Sequence, residues 1–64
     1  MIRVNGKEYD FEEMTIEELL LKLDYPLTRI AVEKNQEIVS KKLYGEVKTK
    51  DGDVIEVVRF VGGG

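Results

Sequence analysis

"VIEVVRFV", Val54–Val61, decides the fold. Apart from Glu56 and Arg59 every residue in it is apolar, so it lacks the in-out alternation of a strand with one wet face. Such a run marks a strand flanked on both sides by other strands. It is expected in the middle of a sheet, entered through the turn signal "KDGD", Lys50–Asp53.

Working back from that strand, the N-terminal "MIRVN" alternates, with Ile2 and Val4 on one side and Arg3 and Asn5 on the other. Asn5-Gly6 supplies the positive φ values of a tight hairpin turn, and "KEYDF" resumes the alternation with Tyr9 and Phe11 together. Thr15 followed by Glu18 is a capping-box signature that starts a helix. Ile16, Leu19, Leu20 and Leu23 form its apolar stripe, which Leu21 widens, and Glu18 and Lys22 stand in the favourable i,i+4 order. Pro26 disfavours helical geometry at Tyr25, so the helix is expected to end near Asp24.

"RIAVEK" reads as a further strand with Ile30 and Val32 inward, turned by Asn35-Gln36 into the short apolar pair Ile38 and Val39. From Ser40 to Thr49 an irregular connection is expected, with a single helical turn and with Leu43, Tyr44 and Val47 plugging one side. The expected fold is α+β: a mixed sheet of four to five strands with one main helix packed on one face. Residues 1–61 form the domain and 62–64 a flexible glycine tail.

A chain of this length buries only about 60% of the surface it exposes when unfolded, which leaves little room for a deep active site. It has no cysteine and no histidine, so a disulfide framework, a thiolate metal site and the commonest general base are all missing. A net charge of −3 opposes phosphate neutralisation and argues against a nucleic-acid partner. Lys41, Lys42, Lys48 and Lys50 are interrupted by Glu46 and Asp51 and read as a solvated face. No apolar run approaches the roughly 20 residues of a membrane span, and the N-terminus lacks the apolar core of a signal peptide. The expected location is the cytoplasm.

Side-chain catalysis finds no footing. Ser40 and Thr15 have no histidine to activate them, and Glu12-Glu13 and Glu17-Glu18 are sequence neighbours that do not converge on a substrate. No catalytic and no metal-binding residue is assigned. What remains is "GGG", Gly62–Gly64. No helix follows it, so it is not a phosphate-binding loop. Glycines without Cβ atoms can thread a channel as narrow as the backbone and carry a terminal carboxylate to chemistry inside another protein. That carboxyl, with a reference pKa of about 3.3–3.7, is an anion able to attack the α-phosphate of ATP and form an acyl adenylate. The plainer alternative is a frayed end.

"VNGK" at the first turn, "IAVEKNQEIV" through the middle hairpin and the terminal "GDVIEVVRFVGGG" make the whole chain resemble the ThiS family of sulfur carriers, which have a ubiquitin-like β-grasp fold. The resemblance implies a protein cosubstrate, not an enzyme. Gly64 would be adenylated by a ThiF-like adenylating enzyme and converted to a thiocarboxylate with sulfur from a donor protein. A ThiG-like thiazole synthase would then use that sulfur to build the thiazole of thiamine. Gly62 and Gly63 match the family's tail; ATP and Mg belong to the activating enzyme, and this chain would bind no cofactor. Other readings are a molybdopterin-type or other-pathway carrier, a non-covalent ubiquitin-like interaction module, and a protein modifier.

The residues themselves add a docking surface. If Ile55 and Val57 face the helix, alternation sends Glu56, Val58 and Phe60 to the opposite side. Val58 and Phe60, with Val61, are then expected to form an exposed apolar patch for the activating enzyme; alternatively Phe60 folds back and covers its own sheet.

Overall fold

The computed structural model describes residues 1–60; Val61, Gly62, Gly63 and Gly64 lie outside the described residues. In chain order the elements are β1 (Ile2–Val4), β2 (Lys7–Tyr9), α1 (Ile16–Lys22), β3 (Ile30–Lys34), β4 (Glu37–Val39), a 3-10 turn (Lys41–Leu43) and β5 (Val54–Arg59). The five strands make one sheet in the order β2-β1-β5-β3-β4. β5 runs parallel to β1 and antiparallel to β3, and the two outer pairs are antiparallel hairpins. The last strand thus lies at the centre of a mixed sheet.

Local chemistry explains the elements. Asn5 and Gly6 both take positive φ, 51° and 83°. That geometry matches the strand twist and brings Val4 opposite Lys7. α1 opens on the full capping box: Thr15 Oγ1 accepts from the Glu18 N–H at 3.1 Å, and the Glu18 carboxylate accepts from the Thr15 N–H at 2.9 Å. Glu18 therefore serves the cap and not an ion pair with Lys22, whose ammonium lies 5.3 Å from the Phe11 ring centroid. The helix closes by a Schellman pattern, with the Asp24 N–H bonded to Leu21 O and the Tyr25 N–H to Leu20 O. Asp24 takes the left-handed conformation, φ 65°, where glycine is usual.

The core lies between α1 and one face of the sheet. Ile16, Leu19 and Leu20 pack with Ile2, Val4, Ile30, Val32, Val39, Ile55 and Val57. Leu21 does not widen the stripe; it is 59% exposed. A helix of seven residues packed on one sheet buries only a narrow face. Between β4 and β5, Tyr44 is buried and Val47 packs partly against the core, whereas Leu43 points to solvent instead of helping to plug the connection. The same segment finishes α1: Tyr44 O and Val47 O accept from the Glu17 and Ile16 N–H groups, two donors a helix start leaves without intrahelical partners. Thr49, with no exposed surface, donates its hydroxyl and its N–H to Met14 O. Lys41, Lys42, Lys48 and Lys50 lie along this connection, and all four are exposed.

Asn35 fastens the β3–β4 turn to the start of β5. Its amide donates to Asp53 Oδ1 at 3.0 Å and accepts from the Val54 N–H at 2.9 Å. Burial pushes the Asp53 carboxyl up, but the bonds from Asn35 and from the Lys50 N–H, with Lys34 nearby, outweigh it and hold the carboxyl below its ordinary range. No helix among the described residues is long and apolar enough to cross a membrane.

Candidate functional site

The site is built on β5, the strand that leads to the glycines. Ile55 and Val57 face α1 and are buried, so alternation turns Val54, Glu56 and Val58 to the other side of the sheet. Phe60 follows the strand and is 57% exposed; Val58 is 55% exposed. Phe60 therefore does not fold back to cover the sheet, and the two apolar residues expected to meet a partner are both at the surface. Val61, the third, lies outside the described residues, as do Gly62, Gly63 and Gly64.

The end of β5 is held from both sides. On the β3 side the ladder runs to Ile30 opposite Arg59, and the Phe60 N–H adds one more bond to Arg29 O at 2.9 Å. Arg29 adopts φ 60°, a conformation unusual for a residue with a side chain. On the other side β1 pairs with β5 only as far as Ile55, because the chain turns away at Asn5. Here the Asn5 side chain takes over from the backbone. Its Oδ1 accepts from the Val57 N–H at 2.7 Å, and its Nδ2 donates to Val57 O at 3.1 Å and to the Tyr25 hydroxyl at 2.9 Å. The Arg59 guanidinium lies 5.7 Å from the Tyr25 ring centroid, within cation–π range.

Asn5 thus has two jobs. Its backbone makes the hairpin turn, which its sequence context announces; its amide extends the sheet to a strand 52 residues away, which nothing local announces. Asn5, Tyr25 and Arg29 are the site residues that sequence reasoning missed. A turn asparagine in place of the equally permissible aspartate was the available signal, since only an amide offers both the donor and the acceptor that a strand backbone needs.

The open face also has a defined register. Ala31 stands opposite Val58, and Glu33 opposite Glu56. Beyond Glu33 the next residue across is Ile38 of β4. Of the pair Ile38 and Val39, only Val39 faces the core, and Ile38 is 77% exposed. Strand alternation requires that split of adjacent residues. On the far side Arg3 faces Val54 and donates to Glu8 Oε2 at 2.9 Å. Among the described residues no three of His, Cys, Asp and Glu come together as a metal-binding set. Thr15 is occupied as a cap, and the Ser40 side chain makes no capping bond to the turn that follows it. Chemically, the face offers an apolar surface and a firmly anchored strand end, not a catalytic constellation.

Comparison with known proteins agrees with this architecture. The chain is 42% identical to the sulfur carrier protein ThiS of Bacillus subtilis, with all of both chains covered. It is 47% identical over 62 residues to a thiazole synthase of Paramagnetospirillum magneticum; that stretch is 95% of this chain but only 19% of the synthase. Among solved structures, the thiamine biosynthesis protein ThiS of Geobacter metallireducens superposes with a TM-score of 0.81 at 34% identity, covering 98% of this chain and 97% of that one. The fold is accordingly the β-grasp fold of those neighbours. Residues 2–64 match the ThiS family, and the chain belongs to it.

Proposed function

We propose that this protein is the sulfur carrier of thiamine biosynthesis and that Gly64 is the residue that carries the sulfur. The observation that supports this most is the family match over residues 2–64, which takes in the glycines together with the strand that leads to them. A Gly64 carboxylate oxygen attacks the α-phosphorus of ATP, pyrophosphate leaves, and an acyl adenylate forms. The terminal sulfur of a donor-protein persulfide then attacks the carbonyl carbon and expels AMP, giving an acyl disulfide; a second protein thiol attacks the donor-side sulfur of that disulfide, forms a protein disulfide and releases the thiocarboxylate. ATP and Mg are held by the ThiF-like adenylating enzyme, and the carrier acts in the cytoplasm beside it.

In this reading the enzyme docks on the open face at Val58 and Phe60, continuing to Val61, while Gly62 and Gly63 reach the nucleotide. The anchoring of β5 by Asn5, Tyr25 and Arg29 supports it, because a tail can be aimed only from a root that does not move. The thiazole synthase relative, which contains a segment similar to this chain, supports a ThiG-like synthase as the acceptor of the sulfur.

The test is pyrophosphate release in a mixture of the protein, MgATP and the ThiF-like enzyme of the same organism. Release depends on the carrier, and deletion of Gly64 abolishes it while leaving the unfolding curve in place. Release that survives the deletion would refute Gly64 as the reacting residue, and isopeptide-linked products would identify a protein modifier instead.

A further inference from the structure

Neighbours across a sheet normally complement each other, and like charges directly opposite destabilise it. The open face breaks this rule at its centre. Glu33 of β3 and Glu56 of β5 are direct register partners, flanked by Val32, Ile55 and Val57, which are buried on the other face. Glu56 is exposed and Glu33 half-buried. Among the described residues neither carboxylate has an ion-pair partner, and basic side chains on the neighbouring strands are committed elsewhere. Arg3 bonds Glu8, and Lys34, on the core-facing side, lies 3.8 Å from Asp53.

The setting makes the repulsion matter. Ile38 lies next to Glu33 across β4, the Ala31–Val58 pair is the next one along toward the tail, and Phe60 follows. A partner that covers these apolar groups expels water from around the two carboxylates, which strengthens their mutual repulsion unless the partner supplies a positive charge. A second copy of this chain does not, since a two-fold stack of open faces lays one acidic row on another. Nucleic acid is repelled for the same reason.

We infer that the protein partner seated on this face inserts an arginine between Glu33 and Glu56, beside apolar sockets for Val58 and Phe60. A planar guanidinium with five donors can bond two carboxylates held on adjacent strands at once, which an ammonium does less well. The inference rests on the carrier reading and specifies the chemistry by which the adenylating enzyme recognises its carrier: the repelling pair is relaxed only by the right partner.

The double variant Glu33→Gln/Glu56→Gln tests it in steady-state adenylation with MgATP and the ThiF-like enzyme of the same organism. We expect KM for the carrier to rise about tenfold at low ionic strength with kcat unchanged, and the salt dependence of KM to flatten. The denaturant midpoint should move up, not down, because the repulsion is gone. Glu56→Lys, which lets position 56 pair with Glu33, gives the second reading: a more stable fold and a still weaker substrate. KM at the wild-type value in both variants would overturn the arginine contact while leaving the carrier reading intact. Failure of the wild-type protein to be adenylated would overturn both.

Discussion

The two faces of β5 have similar composition and opposite fates. Ile55 and Val57 lie under α1 and complete the core; Val54 and Val58, one residue out of step, stay at the surface, 39% and 55% exposed. In the sequence, an apolar strand on both faces reads as one with neighbours on both sides, and β5 does have them. Neighbouring strands, however, satisfy the edges of a strand, while its faces need a second layer. One short helix supplies a layer on one face only. The apolar residues on the other face are surplus to folding, and they form the surface that the carrier reading assigns to the activating enzyme.

Substitutions separate the two faces most sharply in stability. Ile55 has no exposed surface. Ile55→Ala should cost about 2–5 kcal/mol, enough to unfold much of so small a domain. Val58→Ser on the same strand should stay within about 0.5 kcal/mol. Equilibrium unfolding in urea measures both, and equal losses would end the distinction. Phe60→Asp reverses the order of effects. It should leave the unfolding curve where it is and lower kcat/KM for adenylation by about 30-fold or more, the size expected when a central anchor is lost from an interface. Unchanged adenylation with an intact fold would remove the docking role from this face.

Asn5 lies where the two roles meet. Asn5→Ala deletes the amide that completes the β1 side of β5. The loss should cost about 1–3 kcal/mol. Hydrogen exchange at the Val57 amide should accelerate beyond what the global loss explains, because the bond lost is its own.

How much could be read beforehand follows the range of the interactions. The hairpin at Asn5-Gly6, the capping box at Thr15 and Glu18, and the turn at Asn35-Gln36 are decided within a few residues, and each forms where its sequence places it. The central position of β5 was expected correctly from its apolar run, although the outward half of that run is not what places it there. The amide of Asn5, the buried hydroxyl of Thr49 and the carbonyls of Tyr44 and Val47 at the helix start depend on partners far along the chain. Their types alone suggest only turns and surface. Leu21 and Leu43 misled for a related reason: an apolar side chain buries only if a surface stands opposite it, and here the helix is short and the connection one layer thick. For the site, the outward direction of Val58 and Phe60 came from alternation, while the Glu33–Glu56 juxtaposition needed the register.

The smallest effect concerns Asp53, at the entrance to β5. Its carboxyl is held below the ordinary value of 3.8, so the unfolded chain binds its proton first on acidification. Its contribution is complete above that value and is lost as pH falls below it toward the folded pKa. Asp53→Asn should lower the urea midpoint slightly at neutral pH and flatten the acid limb of the stability profile, so that the variant and wild-type curves converge as pH falls. A profile with the wild-type slope would show that the Asn35–Asp53 connection does not stabilise the fold through this charge.

The central claim is that the exposed face of β5 presents a terminal glycine for activation by another protein. Intact-protein mass spectrometry after incubation with MgATP, a sulfur donor and the ThiF-like enzyme of the same organism tests it most directly. The account predicts exchange of one oxygen for sulfur, localised to Gly64 and much slower in Phe60→Asp. An unchanged mass under conditions that load an authentic carrier, or sulfur found at any other residue, would contradict it.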